Sequence, residues 1–465
     1  MVLQGLRDNY TSTQEISQLI SIFFTTFFVP LFFTLLLIKQ NYLPLICLLA
    51  FFQSFSFLNI EAPFFFSLNP FIAISLLLIC RTLQYRAITI FPKDNTTSYL
   101  FCFSIYSTLI TFVVPVLGLD FLVLPSRDGI DTQLLQPLQL TYSNLSHISY
   151  LWIFYFLHLL LKTSSVSSTS HLFLKSRLVH KSLVTVFILN LLLACWQYLG
   201  NLGIHYPLQL FIQNQPISSV LVQANFPIYR ISGIFTEPSL LASFLVFSII
   251  YLKFSPYSSP LLTSILFPSS FFFLLLSQSF TGLAAVLPVL FIVLFSASRR
   301  IYLSPLFNVL RIASLPLLFF LFFYFFSSVQ NTISTPVTSK LVTESFQNRS
   351  YSDFIALSLF KDSIFLGIGL SSTDCSSFLI SLFTSTGVIG AYFFLRYFYS
   401  LRPNSDLYST LSLPSAILVE YRALWFATSL YLLVICLSVS DICYFPLWGA
   451  FLILYTSIPL PKGKV

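Results

Sequence analysis

The stretch Tyr229-Arg230-Ile231-Ser232-Gly233-Ile234-Phe235-Thr236-Glu237-Pro238-Ser239 lies directly before a long apolar segment, and the chain is organised around it. It combines an arginine, a glycine, a carboxylate and a helix-start signal. Thr236 is predicted to be the helix N-cap, and Pro238 suits the first turn. Glu237 is then expected in that turn, near the positive end of the helix dipole. Charges at the edge of an apolar segment are costly unless they are paired or used, so this stretch is a candidate site.

The composition of the whole chain is that of a membrane protein. Its 465 residues are 56% hydrophobic and only 8% charged, whereas about a quarter of the residues of a soluble domain are charged. The apolar runs are continuous rather than alternating, which indicates helices rather than a barrel. The sequence therefore predicts an all-α, polytopic membrane protein that forms a single integral membrane domain over residues 1–465.

Runs of about 20 mostly apolar residues can cross a bilayer, and the sequence contains about 12 to 13 of them. If the runs 43–59 and 64–80 form one re-entrant pair, the number of spans falls and the N-terminus lies on the other side of the membrane. The runs lie at 18–38, 43–59, 64–80, 98–117, 146–161, 183–199, 238–252, 261–276, 280–298, 312–328, 375–395, 423–440 and 442–458.

The charge of the connections predicts the orientation of these runs. If every run crosses, most lysines and arginines fall on one side, which is cytoplasmic by the positive-inside rule. The net charge of +8 is thus a topology signal, and no nucleic-acid partner is expected because no basic run with interleaved aromatics exists. Long connections at 118–145, 200–237 and 329–374 face the other side, where function is expected. The seven cysteines show no CxxC spacing, and no metal ligands are predicted.

A second group of polar residues lies in the connection 329–374. Arg349 precedes an amphipathic stretch at 354–360, which predicts a surface helix that ends near Lys361. Because arginine binds phosphate bidentately, Arg230 and Arg349 with Lys361 could form a pocket for a phosphate-bearing ligand. Scattered solvated charges on a loop, or a structural ion pair between the first stretch's arginine and its carboxylate, are the alternatives.

Together the two motifs resemble a known family. The first is Arg230-x-x-Gly233-x-Phe235-x-Glu237-Pro238-Ser239. The second runs from Arg349 through Leu366-Gly367-Ile368-Gly369 to Thr386-Gly387-Val388-Ile389-Gly390. Their order and separation resemble those of the Wzy-type O-antigen and exopolysaccharide repeat-unit polymerases, which are related to the O-antigen ligases. The resemblance covers about residues 180–400.

This resemblance implies a GT-C-like membrane glycosyltransferase of the bacterial inner membrane, with its active face in the periplasm. Residues 200–237 and 329–374 would be periplasmic loops that form the active site. The donor and acceptor would be undecaprenyl-pyrophosphate-linked glycans held beside membrane lipid. No metal, nucleotide or other cofactor is expected. A flippase and a chain-length regulator are the partners that the family implies.

The resemblance also assigns roles to individual residues. Arg230 and Arg349 would stabilise charge on the leaving pyrophosphate. Glu237 would be the base for the acceptor hydroxyl, or would merely orient Arg230. The remaining residues are expected to contact substrate, and they are Tyr229, Gly233, Tyr351 and Lys361.

One departure from the family leaves the base open. Ligases have a His-Asn pair where this chain has Asp374-Cys375-Ser376-Ser377, which favours a polymerase over a ligase. A flippase or another transporter is a different alternative, although it is expected to place charge deep within its spans, where almost none is predicted. The third function class considered is a non-catalytic subunit of an assembly. Asp441, between the last two runs, is interpreted as a loop residue, although an acidic residue at a membrane boundary can be functional.

Overall fold

The computed structural model describes residues 49–51, 58–60, 66–85, 91–92, 94–117, 120–124, 135–163, 169–201, 231–277, 279, 285, 289, 344–403 and 415–457. Ten helices can be delimited in these ranges, and we number them in chain order. Helices α1 to α5 are Pro70–Tyr85, Asn95–Val116, Tyr142–Thr163, Thr169–Asn201 and Pro238–Phe254. Helices α6 to α10 are Pro260–Leu276, Glu344–Asp362, Phe378–Ser400, Ser415–Ile435 and Phe445–Ser457.

Two short antiparallel ladders accompany the helices. Strand β1 (Leu58–Ile60) pairs with β2 (Phe66–Leu68), and β3 (Leu122–Val123) pairs with β4 (Gln136–Pro137). The fold is therefore mainly, but not purely, α-helical. The apolar run predicted at 64–80 is wrong near its start, because β2 occupies Phe66–Leu68 and the helix α1 begins only at Pro70, a residue that suits a first turn.

Helix length and apolarity support a multi-pass, membrane-embedded protein. Within the described residues, five helical segments are long and apolar enough to cross a membrane, and four shorter apolar helices accompany them. The predicted runs at 18–38 and 312–328 lie outside the described residues, as does nearly all of 280–298. The five long segments are Asn95–Val116, Tyr142–Leu161, Ser176–Leu199, Phe378–Ser400 and Ser415–Ile435.

Helix packing is built around α2 against α8 and α5 against α9, with α3 touching α1, α2 and α10. One apolar core joins every delimited helix except α7. Aromatic rings fill its centre, where the Phe154 ring stacks on Trp448 at 4.8 Å between centroids. Because lipid is as apolar as this core, close packing and interhelical hydrogen bonds hold the helices together. Helix α7 instead joins a small cluster beside β3 at one end of the bundle.

The helix ends define two ends of the bundle. The Asp441 end holds the starts of α3, α5, α8 and α10, together with residues 120–124, 231–237, 363–377 and 436–444. The Glu420 end holds the starts of α2, α4 and α9 and the ends of α3, α5, α8 and α10. Hydrogen bonds join the segments at each end, such as Asp374 N–H to the Leu124 carbonyl at the first and Tyr455 to Asp94 at the second. The described parts of the three long connections thus meet at one end of the bundle.

Helix α8 is broken in its middle at Gly387, where φ is +63°. The chain between α7 and α8 (residues 363–377) fills the break. Val388 N–H donates to the Phe365 carbonyl, and the Thr384 carbonyl accepts from Ile368 N–H, each at 2.9 Å. A side chain at position 387 would meet the backbone of the neighbouring segment at 2.3 Å. Irregular backbone inside an apolar bundle requires such compensation.

Candidate functional site at the Asp441 end

The turn before α5 is held by side chains of α4. The Gln197 side-chain oxygen accepts from Ser232 N–H and Gly233 N–H, both at 2.9 Å, and its nitrogen donates to the Gly233 carbonyl at 3.1 Å. Deeper in α4, Asn190 Oδ1 accepts from Ile234 N–H at 3.0 Å. Asn190, a polar residue inside an apolar run, therefore serves to fix this turn.

Gly233 has a backbone role in the turn. Its φ is +59°, and a Cβ there would lie 2.1 Å from Asn190 Oδ1. The residue is buried, and Gln197 binds both its N–H and its carbonyl. Position 233 therefore requires glycine for the shape of the turn, whereas its predicted contact with substrate stays a prediction.

The helix start differs from the prediction by one residue. The N-cap of α5 is Glu237, with extended backbone at φ −131°, and not Thr236, while Pro238 occupies the first turn as expected. The Glu237 side chain makes no capping bond; it accepts from Ser239 Oγ at 3.2 Å and is half-buried. The Glu237 carboxylate therefore does not cap the helix. Tyr229 and Arg230 lie outside the described residues, so their predicted roles stay predictions.

A carboxylate that the sequence interpretation left as a loop residue lies at the same end. Asp441 Oδ1 accepts from Cys443 N–H at 2.7 Å and lies 3.1 Å from His147 Nε2. His147 Nδ1 lies 2.8 Å from the Ser143 carbonyl, an acceptor only. Both ring nitrogens thus face acceptors, which a doubly protonated imidazole satisfies. The side chains of His147 and Asp441 are 20% and 37% exposed.

Tyr444 brings Glu237 and Asp441 into one electrostatic neighbourhood. Burial raises the pKa of the Tyr444 phenol well above its usual value; the neighbouring Tyr431 and the charges on Asp441 and Glu237 raise it further. Tyr431 donates a hydrogen bond to the Tyr444 hydroxyl at 3.3 Å. The charges of both carboxylates therefore act on the same buried phenol.

Further carboxylates border this region from α7 and the segment 363–377. Asp353 accepts from Ser376 N–H at 2.7 Å and from Ser376 Oγ at 2.5 Å, which ties α7 to the start of α8. Burial raises the pKa of the Cys375 thiol to about 12, and the charges on Asp374, Asp353 and Asp441 add to this effect. Cys375 is therefore a protonated, buried thiol and a poor nucleophile.

Helix α7 carries three predicted site residues on exposed positions, namely Arg349, Tyr351 and Lys361. The predicted surface helix is thus present, but it starts at Glu344 and includes Arg349. Twelve residues separate Arg349 from Lys361, or about 18 Å along a helix. The two cations lie near opposite ends of α7 and would serve different parts of a ligand. No group of three His, Cys, Asp or Glu side chains that could hold a metal occurs in the described ranges.

A second polar cluster, at the Glu420 end, is closed. Glu420 is 2% exposed, and its two oxygens accept from Tyr251 OH and Ser255 Oγ, each at 2.5 Å. His180 Nδ1 lies 2.8 Å from the Tyr251 oxygen and 3.2 Å from Ser255 Oγ. Since both hydroxyl hydrogens point to Glu420, the His180 ring donates to this pair. The predicted run 423–440 excluded Glu420, whereas α9 begins at Ser415 and includes this carboxylate near its start.

His147 and Asp441 are the residues that sequence reasoning missed as a pair. They lie far apart in the chain, so no local motif joins them. The sequence did contain a signal for this pair. Both residues are polar, and each lies at the end of an apolar run that is predicted to face the same side of the membrane. Comparison of the chain with protein-family models, with curated proteins and with solved structures gave no match.

Proposed function

We propose that this protein transfers glycan chains from undecaprenyl pyrophosphate to the next lipid-linked repeat unit, at the Asp441 end. The protein would be a polysaccharide polymerase of the bacterial inner membrane. The resemblance of the two motifs to the polymerase family motivates the substrate class. Glycan transfer requires a carboxylate that accepts the proton of the acceptor hydroxyl, and cations that stabilise the leaving pyrophosphate.

One observation supports this proposal most directly. Glu237 at the start of α5 and Asp441 just before α10 are both partly accessible, and both lie at the end where the long connections gather. Exposed cations of α7 lie at the same end, since Asp353 ties that helix to the start of α8. Loops placed by a rigid scaffold are where catalytic residues concentrate. At the opposite end Asp94 is partly accessible, but its two oxygens already accept from Thr97 and Tyr455.

The distribution of basic residues supports a periplasmic Asp441 end. In the described residues, basic side chains gather around the Glu420 end, and by the positive-inside rule that end would face the cytoplasm. Lipid-linked repeat units exposed on the periplasmic leaflet would then reach the Asp441 end. Among the basic side chains that the structure describes, Arg349 and Lys361 of α7 lie at the Asp441 end, and the others lie around the Glu420 end: Arg177, Lys181, Lys253, Arg396, Arg402 and Arg422.

The test is the glycan ladder of cells that lack this protein, complemented with wild type, with Glu237→Gln or with Arg230→Ala. We expect deletion to leave single repeat units, wild type to restore the ladder, and both variants to fail despite normal membrane levels. Asp120→Asn, an exposed carboxylate at the same end, is the matched control and should restore the ladder. A full ladder in the deletion strain would contradict the proposal, and loss of glycan attachment alone would indicate a ligase.

A transporter is the second candidate, because Glu420 is a buried carboxylate at the edge of a span and α8 is discontinuous, two features of transporters. However, the carbonyls at the α8 break are already occupied: Thr384 and Ser385 accept from Ile368 and Gly369. Each of these carbonyls thus already has a hydrogen-bond donor, and the break does not need an ion to satisfy them. A deletion strain with no repeat units on the periplasmic face would favour the flippase instead.

A further inference from the structure

The Asp441 end holds two accessible carboxylates, and they are fixed to different degrees. Within the described residues, the Glu237 carboxylate accepts one hydrogen bond, from Ser239 Oγ at 3.2 Å. Asp441 accepts from Cys443 N–H at 2.7 Å and faces His147 at 3.1 Å, and both contacts use Oδ1. The orientation of Asp441 is therefore set from two directions, whereas that of Glu237 is set weakly by its neighbour.

The second oxygen of Asp441 is available. Oδ2 has no hydrogen bond from any described residue, and 37% of the side chain is exposed. A carboxylate with one oxygen fixed and the other open is the arrangement that a general base requires, because the base must be positioned before the proton arrives. The Ser143 carbonyl in turn orients the His147 ring. Two successive hydrogen bonds, from His147 to Ser143 and from His147 to Asp441, therefore hold Asp441 in place.

From this geometry we infer that Asp441, rather than Glu237, accepts the proton of the acceptor sugar hydroxyl, and that His147 is its positioning residue. The inference rests on the proposed glycan transfer. Glu237 then has the second of its two predicted roles, which is to orient Arg230.

The step balances in atoms and electrons. The acceptor hydroxyl oxygen attacks the anomeric carbon of the donor, and its proton moves to Asp441 Oδ2. The bond from that carbon to the pyrophosphate oxygen breaks, and the electron pair leaves with the lipid pyrophosphate. Asp441 then returns its proton to water, to which it is partly exposed. No metal, reductant or further reactant enters the step.

The experiment uses the purified full-length protein and lipid-linked repeat units extracted from the deletion strain, with chain extension followed on gels. Asp441→Asn keeps a side-chain oxygen for Cys443 and His147 but removes the basic charge. We expect its turnover to fall about 100-fold or more, the usual size of a general-base contribution, with little change in KM. Asp120→Asn is the control for loss of a negative charge at this end, and it should stay near wild type.

Chemical rescue separates the two carboxylates. Formate is a small carboxylate that can enter the space left by a glycine, so it should restore turnover to Asp441→Gly and not to Glu237→Gly. The reverse pattern would overturn the inference, as would an Asp441→Asn protein within threefold of wild type. If the deletion strain holds no extractable repeat units, or wild type extends none, the proposed function itself fails and the inference falls with it.

Two variants of the histidine test positioning and remain informative if Asp441→Gly does not fold. The side-chain amide nitrogen introduced by His147→Gln can still donate to Asp441, whereas the ring introduced by His147→Phe cannot. We expect turnover to fall little in the first and about tenfold or more in the second, with KM preserved in both. Equal losses in the two variants would contradict a positioning role, because a packing role alone is met better by phenylalanine.

Discussion

Asp441 and Glu420 are carboxylates at opposite ends of the same bundle, and their surroundings differ in every respect that matters for chemistry. Glu420 is 2% exposed and uses both oxygens to accept hydroxyl hydrogen bonds. Asp441 is 37% exposed and uses one oxygen. A buried acid whose bonding capacity is filled contributes to structure, whereas an oriented acid with an open oxygen can react. The comparison teaches that hydrogen-bond saturation, more than position in a span, separates the two roles.

The largest expected effect comes from opening the closed cluster. Glu420→Ala removes the acceptor of Tyr251 and Ser255 and leaves buried hydroxyls unpaired, which should lower the free energy of unfolding by about 3 kcal/mol. Glu420→Gln keeps one acceptor oxygen and should cost about 1 kcal/mol. Graded SDS unfolding in mixed micelles measures both. Equal stability of the two variants would show that the hydroxyl bonds contribute little.

The next effect tests whether the Asp441 end rests on a rigid support. Gly233→Ala places a Cβ against Asn190 and forces a positive φ on alanine, so we expect a loss of about 2 kcal/mol. Adding Asn190→Ala removes the clash, and the double variant should therefore lose less than the sum of the single variants. Strict additivity in the same unfolding assay would argue against the close contact.

A small effect is expected where the comparison is sharpest. Asp441→Asn should change the free energy of unfolding by less than about 0.5 kcal/mol, since the amide oxygen can accept the same hydrogen bonds and the site is partly exposed. Glu420→Gln, the same chemical change at the closed end, should cost more. A destabilisation by Asp441→Asn as large as that by Glu420→Gln would mean that both acids are structural.

No effect on stability, but opposite labelling, is expected when the two ends are tagged. Single cysteines introduced as Asp120→Cys and Lys181→Cys into a chain without its native cysteines occupy exposed positions at opposite ends. In cells with a permeabilised outer membrane, a membrane-impermeant maleimide should label position 120 and not position 181. Labelling of position 181 alone would reverse the orientation and place the proposed site in the cytoplasm.

Sequence patterns predict the helical class and most helix positions, because continuous apolar runs demand helices in a bilayer. Boundaries are less predictable. The apolar pattern puts the last-but-one run at 423–440, yet α9 runs from Ser415 to Ile435, because the acceptor bonds of Glu420 offset the charge that makes this turn look too polar to cross. The N-cap is Glu237 rather than Thr236 since the proline that follows fixes where the first turn begins.

The candidate site is only partly predictable for a related reason. Glu237 stands out because arginine, glycine and proline surround it within a few residues. Asp441 and His147 have no such local pattern, and their meeting depends on how α3 packs against α10 and the segment before it. Sorting polar residues by the side of the membrane on which each run begins would place them together, but would not give their hydrogen bonds.

The break in α8 has a consequence for how the protein is made. Until the segment 363–377 is in place, the carbonyls of Thr384 and Ser385 lack their partners Ile368 and Gly369, and each would cost several kcal/mol in hydrocarbon. The same segment is anchored on α2 through Tyr106 and Thr111, a helix that is synthesised much earlier. Newly made α8 should therefore leave the insertion machinery onto α2 rather than into lipid, so α2 acts as an internal chaperone for the later helix.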